Sequence, residues 1–169
     1  MVKSDKEEWI EGTKLSLSPK LPLNLIPATS WWKNVRSKIP KSQWDTIRKK
    51  VYQQANYTCE ICQAKNTRLD CNEVWDYQNN KQILIKLEAI CRPCHLTQHM
   101  GYASIIGQHQ AAFNHLLKVN GWTGEQGRDY VQAKFAEWEQ RSKIEWILDL
   151  SYLEKLNFKD YRGINANKI

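Results

Sequence analysis

The sequence predicts an α+β fold in which a β-hairpin and the helix that follows it are held together by a metal site. Two Cys-x-x-Cys motifs, Cys59–Cys62 and Cys91–Cys94, are separated by 28 residues, and a hairpin pattern fills the space between them. Paired motifs of this kind are typical of a closed tetrahedral zinc site with four thiolate ligands. We expect three parts: an extended arm and basic helix (1–56), a zinc-braced core (57–101) and a helical C-terminal cap (102–169).

The sequence before the first cysteine motif has the pattern of an extended arm followed by one helix. The first 30 residues mix charges with three prolines and show no sustained period, which is typical of an extended arm. Ser42 and Asp45 resemble a helix capping box, and apolar residues then follow at helical spacing. We expect a helix from about Gln43 to Ala55. We expect Trp31 and Trp32 to pack in the core or as a lid rather than to stack on bases.

Residues 63–90 predict the hairpin. Residues 68–77 alternate in polarity, Asn79 and Asn80 follow, and residues 83–90 form an apolar run. The second strand ends at the second cysteine motif, and Pro93 suits the first turn of a helix. His95 and His99, four residues apart, lie on one face of that helix and could hold a second metal ion.

The C-terminal part predicts a helical scaffold. Tyr102 to Asn120 has the apolar periodicity of an amphipathic helix that ends at Gly121, and Thr123 begins a second capping box. We expect His109 and His115 in the first of these helices to be packed or surface residues. A short strand at residues 146–150 and a loosely held tail beyond residue 158 complete the prediction.

The net charge of +7 is concentrated ahead of the cysteine motifs. Residues 1–56 carry 11 basic and 5 acidic side chains, whereas residues 122–169 carry 8 of each. A basic segment beside a metal centre suits a phosphodiester substrate, because neutralised phosphates release counterions. The alternative is a solvated basic surface. The candidate phosphate-contacting residues are Lys33, Arg36, Lys38, Lys41, Arg48, Lys49 and Lys50.

The sequence contains no apolar run of the roughly 18 to 20 residues that a membrane span needs. The N-terminal residues lack the apolar stretch of a secretory signal. We therefore expect a cytoplasmic protein that has no membrane partner and keeps its cysteines reduced, which favours metal ligation over disulfides.

A hairpin and a histidine-bearing helix, braced by paired Cys-x-x-Cys motifs, resemble the zinc-containing HNH endonucleases of the ββα-metal class. The resemblance covers residues 57–101, which would then form a zinc-ribbon HNH core. Residues 71–75 read Cys-Asn-Glu-Val-Trp, similar to a bacterial subgroup whose first strand reads Cys-His-Glu-Val-Trp. In that family the strand histidine takes a proton from water, and a divalent ion on helix histidines stabilises the transition state. Asn72 occupies the position of the strand histidine.

The resemblance implies DNA as the substrate and two kinds of metal site. Cys59, Cys62, Cys91 and Cys94 would hold structural Zn²⁺, and His95 and His99 would hold catalytic Mg²⁺, Mn²⁺, Ni²⁺ or Zn²⁺. Cys71 is a further candidate ligand, because many relatives carry Asp or His there; the alternative is a small buried residue.

Asparagine cannot accept a proton near neutral pH. The chain would therefore be a slow nuclease, an inactivated nuclease or a catalytically silent HNH scaffold that binds nucleic acid. A further alternative is a zinc-ribbon adaptor that contacts a protein partner or a larger assembly.

Overall fold

A small three-stranded sheet surrounded by helices confirms the predicted α+β fold in the computed structural model, which describes residues 18–156. Predictions for residues 1–17 and 157–169 lie outside the described residues. The elements are α1 (Lys41–Gln54), β1 (Leu69–Gln78), β2 (Lys81–Cys91), α2 (Arg92–Gln98), α3 (Met100–Ile105), α4 (His109–Asn120), α5 (Gly124–Arg141), β3 (Ile147–Asp149) and α6 (Tyr152–Lys155), with short 3-10 turns at Ala28–Ser30 and Val35–Ser37. No helix between residues 18 and 156 is both long and apolar enough to cross a membrane.

The predicted hairpin is formed by β1 and β2, which pair in antiparallel fashion. Asn79 and Asn80 make the turn with φ angles of 50° and 58°, the left-handed conformation that a two-residue hairpin turn of type I′ requires. The short strand β3 pairs in parallel with the start of β2. The order β1-β2-β3 leaves β1 at an edge of the sheet, where other elements and ligands can approach it.

Helix α1 begins at Lys41, and the capping box predicted at Ser42 and Asp45 is wrong. Pro40 is the N-cap, so Ser42 lies inside the first turn and its side chain caps no backbone group. Asp45 instead accepts a 2.7 Å hydrogen bond from Nε of Arg48. The apolar face of α1 is buried as predicted.

The helices after β2 are shorter than the sequence predicts. His99, with φ −98° and ψ 51°, interrupts the helical path between α2 and α3, so His95 and His99 do not share one continuous helix. Gly107, with φ 73°, separates α3 from α4 and splits the single helix predicted between residues 102 and 120. The left-handed Gly121 and the capping box that begins at Thr123 are confirmed.

The arm before α1 lies over the helical side of the molecule. Its side chains Leu21, Leu23 and Leu25 are buried. The backbone N–H of Leu23 donates to the Tyr130 hydroxyl at 3.0 Å. The segment is therefore fastened to α5 by both apolar burial and hydrogen bonding.

Candidate metal centre and adjoining cavity

The sulfur atoms of Cys59, Cys62, Cys91 and Cys94 lie within 4.8 Å of one another. A tetrahedral zinc ion with Zn–S distances of about 2.3 Å would place its sulfur ligands about 3.8 Å apart. The Sγ atoms of Cys62 and Cys91 are 3.5 Å apart, and none of the four cysteines forms a disulfide. The four thiols therefore form a cluster that could hold a metal ion such as zinc.

Local backbone structure brings the two cysteine motifs together. The first motif lies in a turn after α1 that is closed by a 2.9 Å hydrogen bond from the Cys59 N–H to the Ala64 carbonyl. Glu60 fastens this turn to β2, because its N–H donates to the Ala89 carbonyl and its carboxylate accepts from the Ala89 N–H. Cys91 ends β2 and Cys94 lies in the first turn of α2. The cluster thus ties the turn after α1 to the junction between β2 and α2.

His115 on α4 contacts the cysteine cluster. Its Nε2 atom lies 3.2 Å from Sγ of Cys94. The sequence predicted only a packed or surface residue here and did not indicate this contact. The thiols also interact with one another: a hydrogen bond with Cys94 lowers the pKa of Cys59 to about 4 and raises that of Cys94. A thiol of low pKa is readily deprotonated, which is the form that binds a metal.

A cavity of about 850 Å³ lies along the edge strand β1 and between α1 and α2. Arg92 and His95, which neighbour Cys91 and Cys94 in sequence, line it, but the four clustered cysteines do not. His95, His99 and Asn72 line it. The aromatic lining is Trp31, Trp32, Trp44, Tyr52, Trp75 and Tyr102. The charged lining is Lys33, Arg36, Lys41, Arg48, Arg68 and Arg92, with the carboxyl groups of Asp45, Asp70 and Glu73. The cavity is therefore both cationic and aromatic.

His95 and His99 lie together in this cavity. Their ring centroids are 4.9 Å apart, and Nδ1 of His95 is 3.0 Å from Oδ2 of Asp70. The hydrogen bond with His95 lowers the pKa of Asp70, so Asp70 is a carboxylate that fixes the orientation of the imidazole. Burial lowers the pKa of His99 to about 4, which keeps that imidazole in the neutral, metal-binding form. Asp70 was not among the predicted site residues, although strand alternation places it on the same face as Asn72.

The side chain of Asn72 is engaged in a buried polar network. Its Nδ2 atom donates to Oε1 of Glu88 at 3.0 Å and to Oε1 of Gln98 at 2.7 Å. Asn72 is only 2% exposed. Although this residue borders the cavity, its amide is directed toward partners in β2 and α2.

Cys71 and Glu73 alternate with Asp70 and Asn72 along β1, and both also line the cavity. Burial raises the pKa of the Cys71 thiol to about 12, so this cysteine is a neutral, half-buried side chain, and it is not part of the four-cysteine cluster. Burial raises the pKa of Glu73 to about 7, and its Oε1 atom accepts a hydrogen bond from the Val35 N–H at 3.1 Å. Glu73 thereby joins β1 to the segment ahead of α1.

The predicted basic residues are divided between the cavity and the outer surface. Lys33, Arg36, Lys41 and Arg48 line the cavity, whereas Lys38, Lys49 and Lys50 do not. Arg68 and Arg92 line it too. They were not predicted, because Arg68 directly precedes β1 and Arg92 begins α2, far in sequence from the basic segment ahead of the cysteines. Cations from four separate segments thus meet at one cavity.

Trp31 and Trp32 were expected to pack in the core or as a lid, and the core packing is wrong, whereas a role as a lid stays a prediction. Their exposed fractions are 47% and 81%, and both side chains border the cavity. In the turn that precedes them, Ser30 is the residue that points inward, and it is fully buried. The two indoles are therefore left on the surface.

Comparisons of the chain with protein-family models, with curated proteins and with solved structures gave no match.

Proposed function

We propose that this chain is a metal-dependent endonuclease of the zinc-containing HNH type that hydrolyses DNA phosphodiesters. The proposal is carried by the cavity along β1, where His95, His99 and Asp70 lie among six cationic side chains. Imidazole nitrogens bind divalent cations and guanidinium groups bind phosphates, and metal-assisted phosphodiester hydrolysis uses both. The succession of β1, β2 and α2, with a four-cysteine cluster at their ends, supports the same proposal.

In this proposal the two metal positions have different roles. The cysteine cluster would hold one structural zinc ion, which contributes to folding and leaves no coordination position open for chemistry. His95 and His99 would hold the second ion, which when bound would stabilise the negative charge that develops on the phosphate. Asp70 would act through His95 by fixing its ring and leaving Nε2 as the ligand atom.

The donor atoms favour some metals over others. Two imidazole ligands suit Zn²⁺ or Ni²⁺ better than Mg²⁺, which prefers oxygen ligands. Within residues 18–156 no third histidine, cysteine or carboxylate joins the histidine pair in a cluster of three. We therefore expect weaker metal binding here than at the four cysteines.

Asn72, at the position of the general base, lowers the expected rate of phosphodiester hydrolysis. An amide cannot take a proton from water near neutral pH, and the loss of a general base typically costs about 10²- to 10⁴-fold. The hydrogen bonds of Asn72 with Glu88 and Gln98 further favour a positioning role for its side chain. We therefore propose slow hydrolysis by the chain as it stands.

A plasmid-nicking assay tests the proposal. The wild-type chain and Asn72→His would be incubated with Mg²⁺, Mn²⁺, Ni²⁺ or Zn²⁺, and nicking should increase in Asn72→His. Adding His95→Ala to that variant should abolish the gain, whereas adding His109→Ala, which removes an exposed imidazole, should not. Circular dichroism and zinc content would confirm that each variant is folded. Absence of metal-dependent cleavage of both plasmid and single-stranded DNA by the two folded chains would exclude the nuclease.

A second candidate is a nucleic-acid-binding module on a catalytically silent HNH scaffold. It is favoured by one observation: the side-chain NH₂ group of Asn72, at the position of the family's general base, donates both of its hydrogen bonds within the buried network. The two candidates differ in one measurement, because a silent module should bind DNA with a strong salt dependence and yet give no nicking.

A further inference from the structure

Trp31 and Trp32 differ from the other tryptophans that the structure describes. Trp44, Trp75 and Trp146 are buried, and Trp122 and Trp138 are partly covered. Trp32 is 81% exposed and Trp31 is 47% exposed. Exposure of a large apolar ring to water is unfavourable. Two adjacent exposed indoles at the border of a cavity therefore indicate a surface that binds a ligand.

The segment that carries the two indoles is fixed on both sides. Before them, the Thr29 hydroxyl donates to the Ile144 carbonyl at 2.6 Å, and the Ala28 N–H donates to the Ser142 hydroxyl at 3.0 Å. After them, Nζ of Lys33 donates to the Trp146 carbonyl at 2.7 Å. The exposure of Trp31 and Trp32 is therefore not the result of a loose loop. A ligand that stacks on rings held in this way loses less free energy to ordering of the protein.

The cations of the same cavity are suited to a phosphate backbone. Within residues 18–156, the guanidinium groups of Arg36, Arg68 and Arg92 form no ion pair with a carboxylate. Two of the three carboxyl groups in the lining are in ion pairs, Asp45 with Arg48 and Asp70 with His95. The third, Glu73, accepts a hydrogen bond from the Val35 N–H. Guanidinium groups that form no ion pair, in a cavity that exposed aromatic rings also line, are the combination that binds an unpaired polynucleotide strand.

A duplex makes poor use of such rings, because its bases are stacked on one another and present only their edges in the grooves. We propose that the cavity binds an unpaired strand of nucleic acid, with bases stacked on Trp31 and Trp32 and phosphates bound by Arg36, Arg68 and Arg92. This inference rests on the proposed function and specifies its substrate as single-stranded or locally unpaired. The strand would lie along β1 and bring a phosphodiester toward His95 and His99, which line the same cavity.

Fluorescence anisotropy with the full chain, loaded with zinc, tests the proposal. Labelled oligonucleotides of about 12 nucleotides, within the range of known single-strand sites, would be offered as single-stranded DNA, single-stranded RNA and the corresponding DNA duplex. We expect both single strands to bind at least about tenfold more tightly than the duplex, since stacking depends on the base rather than on the sugar. A preference for one single strand identifies whether DNA or RNA is the natural source.

Substitutions locate the contact. Trp32→Ala should weaken single-strand binding about tenfold or more and leave duplex binding unchanged. Tyr57→Ala is the matched control, because Tyr57 is 64% exposed and does not line the cavity. Arg92→Gln should reduce the slope of log affinity against log salt by about 0.7 for a single strand. Arg128→Gln, on the exposed face of α5, should not change that slope.

The outcomes separate this inference from the proposed function. Equal affinity for single strand and duplex, with no effect of Trp32→Ala, would overturn the inference while the nuclease proposal remained. Absence of binding to every oligonucleotide would overturn both, and would point to a protein partner for this surface. Because Trp32 is exposed, Trp32→Ala should keep the thermal stability of the wild type, and circular dichroism checks this.

Discussion

The side-chain amide of Asn72 in β1 donates a 3.0 Å hydrogen bond to the carboxylate of Glu88, its partner across the hairpin in β2. Gln98 donates to the same carboxylate oxygen at 3.2 Å, and Nζ of Lys86 lies 3.2 Å from the other oxygen. Asn72, Glu88 and Gln98 are each at most 6% exposed. A buried carboxylate is tolerated only when its lone pairs are satisfied, so this network makes Asn72 part of the structural core.

Asn72→Ala should therefore reduce the free energy of unfolding by about 2 to 3 kcal/mol. The substitution leaves an oxygen of Gln98 without its donor and removes one of the donors to a buried carboxylate. Urea denaturation would measure the change. Asn114→Ala is the matched control, because Asn114 is an exposed residue of α4 and should change stability by no more than about 0.5 kcal/mol. Equal effects of the two substitutions would contradict a structural role for Asn72.

Cys62→Ser should lose most of the bound zinc, and Cys71→Ala should keep it. Cys62 belongs to the cluster whose sulfur atoms lie within 4.8 Å, whereas Cys71 lies outside that cluster. Because a metal ion held by the cluster would join the turn after α1 to the start of α2, its loss should also lower the melting temperature. Elemental analysis of the purified variants checks the zinc content. Full zinc occupancy in Cys62→Ser would show that the four cysteines do not act as one site.

His115→Ala should weaken zinc binding about 10- to 100-fold without abolishing it. Its Nε2 atom contacts Sγ of Cys94, so it can orient and stabilise that sulfur as a ligand. Competition with a chromophoric chelator measures the affinity. His109→Ala is the control, since the exposed His109 contacts Ser104 instead. An affinity unchanged by His115→Ala would mean that the contact with Cys94 has no effect on the metal.

The elements nearest the cysteines were predictable because local rules specify them. Alternating polarity and Asn79-Asn80 specify the hairpin, and the spacing of the two cysteine motifs specifies which ends meet. Gly121 ends α4 as predicted, because glycine readily adopts the left-handed conformation that closes a helix at its C-terminus. Features that depend on one or two turns of chain can be predicted from the sequence.

The composition of the cavity was less predictable because it depends on tertiary packing. Arg68, Arg92 and His115 reach their positions only when β1, α2 and α4 assemble, and no local pattern marks them. The break at His99 is likewise invisible in the spacing of the two histidines, which fits an unbroken helix. Asp70 is different, because strand alternation could have placed it beside Asn72.

Gly127→Ala should destabilise the protein by about 1 to 3 kcal/mol. A Cβ atom at this position would overlap Cδ2 of Leu117 and lie 3.1 Å from ring atoms of Phe113, so both side chains would have to shift in the contact between α4 and α5. Gly101→Ala is the opposite case, because nothing lies within 4 Å of its Cβ position and alanine favours the helix. Thermal denaturation should show a lower melting temperature for Gly127→Ala and an equal or higher one for Gly101→Ala. A stabilised Gly127→Ala would contradict the close packing of α4 and α5.

Glu73→Gln should increase stability at alkaline pH and remove part of its pH dependence. Burial raises the pKa of Glu73 from 4.5 to about 7, so between these values the folded chain binds more protons than the unfolded chain. The free energy of unfolding must then fall as pH rises through this window, by up to about 3 kcal/mol from this group. Glutamine keeps an oxygen that accepts from the Val35 N–H and cannot ionise. Urea denaturation of both chains from about pH 5 to about pH 8 should show that the difference in their free energies of unfolding grows with pH. The other titrating groups are the same in both chains, so their contributions cancel in this difference. A constant difference would mean that Glu73 is ionised across the whole range and that solvent or a neighbouring cation stabilises its charge.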